Sequence, residues 1–192
     1  GYLDYRTSNL CNLGCKICIP HYSSKLAEIN VKENLFQYDT NNPYFRLKPT
    51  EYTSLHKTRL KVKDFDEILT DDLYRIYFAG GEPMLSEDHW KMITELKNTG
   101  RDKNVSIMYN TNGTLLHYKG QYLLDLLDNF KEVTFSLSLD GIGKSFEYWR
   151  TGGKWDKIKE NLDRLKDARD KGKANIIIGV TSAVGWINFK EV

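Results

Sequence analysis

Runs of apolar residues alternate along this chain with stretches whose apolar positions recur every three or four residues, a pattern that predicts strands interleaved with helices. RIYFAGG (75–81), VSIMYN (105–110), VTFSLSL (133–139) and NIIIGVTS (175–182) predict strands, read as continuous apolar runs buried on both faces of a parallel sheet. LDYRTS (3–8) predicts a shorter first strand. Ser86 predicts an N-cap ahead of EDHWKMITELKN, where Trp90, Ile93, Leu96 and Lys97 keep helical spacing behind an acidic first turn. In residues 155–172, Trp155, Ile158, Leu162, Leu165 and Ala168 form an apolar stripe closed by Gly172. Phe65, Ile68 and Leu69 predict a short helix, and YLLDLLDNF (122–130) a helical crossover. Five strands joined by connections of that length predict an α/β fold of parallel β/α units. Periodicity leaves barrel and open sheet undecided.

Residues 19–63 break the regular pattern. Turn signals at Asn41-Asn42-Pro43 and Lys48-Pro49-Thr50 predict irregular structure with short helices. Eight Lys or Arg stand there against four Asp or Glu, interleaved with Tyr22, Phe36, Tyr38, Tyr44, Phe45 and Tyr52. A nucleic-acid surface has that composition. A solvated cap with aromatics tucked beneath basic stems has it too, and is the preferred reading. With 40% hydrophobic and 28% charged residues the whole chain reads as a folded domain, and a net charge of +2 selects no partner. No apolar run approaches the roughly 18 residues of a membrane helix. Gly1 in place of a methionine, and a last segment INFKEV that reads as the opening of another element, predict a piece of a longer protein.

The candidate chemistry sits near the start. All three cysteines, Cys11, Cys15 and Cys18, fall in the octapeptide CNLGCKIC. Three thiolates are one short of a structural zinc site or an ordinary iron-sulfur centre, which suggests a metal centre with one open position. Three plainer readings compete: chance clustering, a Cys3His zinc site completed by His21, and a disulfide with one free thiol. The last is weakened by the absence of a signal peptide and of further cysteines. His21, His56, His89 and His117 are scattered and form no helical metal pair, and His89 reads as part of an ordinary helix turn.

The spacing C-x3-C-x2-C, with Ile17 before the last cysteine, resembles the radical S-adenosylmethionine (radical SAM) enzymes, although that family usually has an aromatic where Ile17 stands. Gly80-Gly81-Glu82-Pro83, at the end of a predicted strand, resembles the family's GGEP motif. Thr111-Asn112-Gly113-Thr114 and Ser138-Leu139-Asp140-Gly141 resemble the next two strand ends of the branch carrying SPASM or twitch extensions. The likeness spans residues 2 to about 185. It implies one radical SAM core domain over 1–192 with an irregular insertion at about 19–63. The implied fold is a partial (β/α)6 TIM-like barrel that stops after the fifth strand.

The resemblance also implies roles. Cys11, Cys15 and Cys18 would hold a 4Fe-4S cluster whose fourth iron is chelated by S-adenosylmethionine. Gly80 and Gly81 would let the backbone approach that cofactor, and Glu82, beside Pro83, would meet its ammonium. Ser138 and Asp140 would contact ribose hydroxyls, and Arg150 the cofactor carboxylate. Asn112, with Thr111, would orient cofactor or substrate, and Ile17 and Val180 would touch the cofactor. Ordinary turns, a solvated arginine and a core valine are the competing readings of those residues. A reductant such as flavodoxin or ferredoxin, a peptide or protein substrate and a reducing cytoplasm complete the expectation, with a nucleic-acid-modifying relative and a non-catalytic zinc or iron-sulfur module as alternatives.

Overall fold

The computed structural model describes residues 1–6, 8–35, 41, 47–57, 65, 67–185 and 188–190, without the side chain of His56. In chain order the elements are β1 (Tyr2–Tyr5), β2 (Gly14–Cys15), α1 (Ser24–Lys32), α2 (Pro49–Ser54), β3 (Arg75–Phe78), α3 (Glu87–Asn98) and β4 (Ser106–Thr111). After them come β5 (His117–Tyr118), β6 (Gln121–Tyr122), β7 (Glu132–Ser138), α4 (Gly143–Trp149), β8 (Arg150–Thr151), α5 (Trp155–Asp170) and β9 (Ile176–Thr181). Five strands form one parallel sheet in the order β1-β3-β4-β7-β9. The order follows the chain without the reversal that marks a doubly wound sheet. This is the α/β arrangement expected of an arc of a TIM-like barrel.

Strand register explains how the sheet can carry both a core and a site. Leu3, Ile76, Ile107, Val133 and Ile176 align in one row, and Tyr5, Phe78, Tyr109, Phe135 and Ile178 in another. Both rows belong to the apolar core, with Phe78 and Phe135 stacked on either side of Tyr109 at 5.5 and 5.1 Å. Trp90, Ile93 and Leu96 of α3 and Ile158, Leu165 and Ala168 of α5 complete that core. The intervening rows differ in character: Asp4, Tyr77, Met108, Thr134 and Ile177, then Asn110, Ser136 and Gly179, then Ser138 and Thr181. Their hydroxyls and amides bond one another, Ser136 to Thr181 at 2.7 Å and Ser138 to Asn110 at 3.1 Å.

The expectation of strands buried on both faces is therefore corrected. Burial along β7 alternates residue by residue, and Ile177 and Met108 are exposed, because helices cover one face only. Among the described residues two predicted helices are also absent. Phe65 and Leu69 close a single turn, the Leu69 N–H donating to the Phe65 carbonyl at 2.7 Å. The crossover between β4 and β7 is a β5–β6 hairpin followed by a 3-10 turn over Leu123–Asp125. Lys119 and Gly120, both at positive φ, close that hairpin in the backbone shape that favours glycine. In the 19–63 stretch α1, α2 and a short 3-10 turn agree with expectation. Phe36, Tyr38, Tyr44, Phe45 and four of its eight basic residues lie outside the described residues.

His89 lies in the first turn of α3, as expected. It is fully buried, its Nε2 lies 2.9 Å from the Tyr109 hydroxyl, and burial alone pushes its pKa down to about 3. Below the unfolded value of about 6.5 the denatured chain takes a proton that the native one refuses, so stability is present above that pH and lost as pH falls towards 3. This one group steepens the loss by up to about 1.4 kcal/mol per pH unit. Urea unfolding of His89→Phe at several pH values is expected to show a shallower acid slope than the parent. Parallel slopes would show that His89 does not contribute.

Candidate functional site

Four of the five sheet strands deliver residues to one cavity of about 190 Å3 at their carboxyl ends, the end where barrel active sites are built. The loop after β1 brings Cys11, Cys15, Ile17 and Cys18; β3 is followed by Gly80 and Gly81; β4 ends in Asn110, Thr111 and Asn112; β7 ends in Ser138. Arg150 and Tyr22 complete its principal walls. A larger groove of about 550 Å3, between α3 and the hairpin, contains none of the candidate residues.

The cysteine loop is fixed by hydrogen bonds to three neighbours. Gly81 N–H donates to Ser8 O at 2.9 Å and Glu82 N–H to Leu10 O at 2.8 Å, extending the β1–β3 contact past the sheet. A Cβ on Gly81 would stand 2.2 Å from Leu10 O, so only glycine permits this approach. On its other side the loop becomes β2, which pairs antiparallel with β8 so that Cys15 faces Arg150, and Lys16 N–H donates to Trp149 O at 2.8 Å. Third, the Ser23 hydroxyl donates to Leu13 O while capping Leu26 N–H of α1, and Ser24 Oγ accepts from Cys11 N–H. Gly14 serves approach as well, because a Cβ there would lie 2.4 Å from Ile29 Cδ1 of α1.

Glu82 is buried and braces two strand ends. Its carboxylate accepts from the Thr111 hydroxyl at 2.7 Å, Asn112 N–H at 2.9 Å and Met84 N–H at 3.3 Å, and burial raises its pKa despite these donors. It lies behind Gly80 and Gly81, off the cavity wall, and Pro83 follows as the first residue of a 3-10 turn over Pro83–Leu85. Asn112 reaches forward: its Nδ2 lies 4.0 Å from Cys11 Sγ and donates to Asn12 Oδ1 at 2.9 Å, while its Oδ1 accepts from the Thr114 hydroxyl. Sequence reasoning gave no site role to the cavity residues Asn110 and Tyr22, nor to Asn12 and Thr114, which are bonded to each other at 2.8 Å beside the cavity. The signal for Asn12 and Thr114 was adjacency alone, one beside Cys11 and the other closing Thr-Asn-Gly-Thr.

Arg150 and Asp140 form a buried ion pair at 2.7 Å, with side chains 9% and 2% exposed. Burial removes the solvated-arginine reading. Asp140 Oδ1 also accepts from Ala183 N–H at 2.7 Å, and Arg150 Nη1 donates to Cys15 Sγ at 3.6 Å, leaving Arg150 Nε with no partner among the described residues. Ser138 keeps its hydroxyl on the cavity wall. Val180 stands apart. It is 61% exposed, shares the row of Thr111 and Leu137, and is absent from the cavity lining.

The three thiols are free, and burial raises the pKa of each, Cys11 to about 11. At Cys15 the Arg150 charge opposes that rise and Asp140 adds to it. Metal ligation must therefore displace protons from neutral thiols. Among the described residues no three His, Cys, Asp or Glu side chains are grouped to hold a single ion. His21 instead packs edge-on to the Tyr22 and Tyr52 rings. Three separated thiols around a cavity, with a buried cationic donor beside one of them, fit a polynuclear iron-sulfur group better than one zinc ion.

A sequence profile of the Radical SAM superfamily matches residues 5–182, and the chain belongs to that superfamily. A curated relative, the probable GTP 3',8-cyclase of Methanococcus aeolicus, is 27% identical over 180 residues, which make up 93% of this chain and 50% of that protein. The chain spans about half the length of the curated relative it matches. Among solved structures, native anSMEcpe with bound AdoMet is 20% identical over 92% of this chain and 43% of its own, with a TM-score of 0.50, a likeness of fold. No helix among the described residues is long and apolar enough to cross a membrane.

Proposed function

We propose that the chain is the core of a radical SAM enzyme, in which Cys11, Cys15 and Cys18 hold a 4Fe-4S cluster with S-adenosylmethionine beside it. The observation that carries this reading is the convergence of all three cysteines with Gly80, Gly81, Asn112, Ser138 and Arg150 on one cavity at the strand ends. When bound, the reduced cluster and S-adenosylmethionine supply a 5'-deoxyadenosyl radical able to abstract hydrogen from a substrate.

The residues divide the remaining work. Gly80 and Gly81 bring backbone to the cavity without side chains, and Glu82, whose oxygens keep spare lone pairs beyond their protein donors, attracts the cofactor's ammonium. Arg150 offers its unpartnered Nε–H to the carboxylate. Ser138 serves the ribose, Asn112 holds the wall next to Cys11, and Ile17 supplies apolar contact, whereas Val180 and Asp140 lie off the cavity lining. The polar rows of the open sheet face, running from Asp4 to Thr181, receive the substrate.

A peptide or protein substrate, SPASM or twitch affiliation, a flavodoxin or ferredoxin reductant and a cytoplasmic setting belong to the same proposal, supported by the TNGT and SLDG strand ends. The GTP cyclase relative favours a second reading, a purine nucleotide as substrate. The test is anaerobic reconstitution with iron and sulfide, followed by dithionite and S-adenosylmethionine. Brown protein forming 5'-deoxyadenosine and methionine is expected, and a colourless protein carrying one zinc would overturn the reading. Adding GTP and candidate peptides separately then identifies which one accelerates turnover.

A further inference from the structure

We infer that the buried Arg150–Asp140 pair sets the reduction potential of the iron-sulfur centre, acting through Cys15. The inference rests on the reading of Cys15 as a cluster ligand and adds a role that cofactor binding does not require.

Arg150 and Cys15 are held opposite each other as register partners of β8 and β2, which fixes their backbones side by side. Nη1 donates to Cys15 Sγ at 3.6 Å while Nη2 meets Asp140 Oδ2 at 2.7 Å. Asp140 is itself anchored, its Oδ1 accepting from Ala183 N–H and its backbone carbonyl from Asn188 Nδ2. The chain thus builds a fixed row of sulfur, guanidinium and carboxylate, nearly out of water.

A cationic N–H on a ligand sulfur stabilises the more negative, reduced form of a cluster and raises its potential. Water and salt screen this field weakly at a buried site. The carboxylate behind the guanidinium acts with the opposite sign, drawing on the same donor group and adding negative charge. The pair is therefore a balance: Arg150 makes the centre easier to reduce, and Asp140 restores some of the low potential that cleavage of a sulfonium demands. Removing either partner unbalances the centre in a predictable direction.

The test is an EPR-monitored potentiometric titration of the reconstituted 192-residue chain without S-adenosylmethionine, alongside Arg150→Gln, Arg150→Lys and Asp140→Asn. Arg150→Gln is expected to lower the reduction equilibrium constant at least tenfold, a shift of about 59 mV to more negative potential for one electron. Arg150→Lys, which keeps the charge and loses the fork, falls between it and the parent. Asp140→Asn retains an acceptor for Ala183 N–H and shifts the potential the other way. Opposite signs at the two positions are the signature that merely structural damage would not give. Equal potentials in all four proteins, or shifts of one sign in both Arg150→Gln and Asp140→Asn, overturn the inference while leaving the cluster in place. Should Arg150→Gln fail to assemble, the sign of Asp140→Asn decides. A parent chain that takes up no cluster overturns both the inference and the reading beneath it.

Discussion

Cys15→Ala is expected to assemble no 4Fe-4S cluster and to form 5'-deoxyadenosine only at the background rate, while its sheet remains folded. Cys15 is the most buried of the three thiols and lies in β2, pinned by β8 and by α1. No other cysteine exists to replace it. Its loss removes one small side chain from a loop whose backbone bonds to Gly81, Glu82 and Trp149 all survive, so the stability cost is about 1 kcal/mol. Iron content, the visible spectrum and deoxyadenosine yield should fall together while circular dichroism stays put. Cys11→Ala and Cys18→Ala are expected to match it. Full turnover in any of the three variants would remove that cysteine from the ligand set.

A comparable loss is expected from a methyl group added outside the ligand set. Gly81→Ala places a Cβ within 2.2 Å of Leu10 O and 2.7 Å of the Asn9 and Leu10 carbonyl carbons, all backbone atoms. Backbone cannot rotate aside as a side chain can. Either β3 or the cysteine loop must move, breaking the Gly81–Ser8 and Glu82–Leu10 bonds, at a cost of about 3 kcal/mol. For a domain of this size that is a fall in Tm of roughly 6–12 °C. Gly179→Ala, where the added Cβ meets nothing nearer than 4.0 Å, is the control and should melt with the parent. Cluster uptake by Gly81→Ala should drop as well, because the loop bearing Cys11 shifts with Leu10. A thermal scan showing the two variants alike would mean that the loop does not rest on Gly81.

The strands were readable because each is a short apolar run bounded by turn residues, and α5 because five apolar positions keep one stripe over four turns. What misled was local composition without its partner. Leu123, Leu127 and Phe130 are buried as a helix would bury them, yet a positive-φ turn at Lys119-Gly120 spends the preceding residues on a hairpin. The apolar residues of β7 were seen, but the small hydroxyls between them were not read as a second, polar face. In the site, the cysteines and glycines were legible from spacing. Arg150 was not settled, because nothing in EYWRTGG announces burial against Asp140 or contact with Cys15. Asn12, Thr114 and the His89–Tyr109 pair acquire their meaning only across sequence separations of 20 to 102 residues.

The pairing of Cys15 with Arg150 also orders events in time. The two are separated by 135 positions, and closing a loop of that length costs roughly 4 kcal/mol of chain entropy before any contact compensates it. During synthesis the three thiols emerge early, long before the segment that seats them. A nascent chain that has not reached Thr151 carries the cysteines but lacks β8 and the buried charges beside it. The complete surroundings of Cys15, with Arg150 beside its sulfur, therefore exist only after the fourth strand of the parallel sheet and the helix after it have been made.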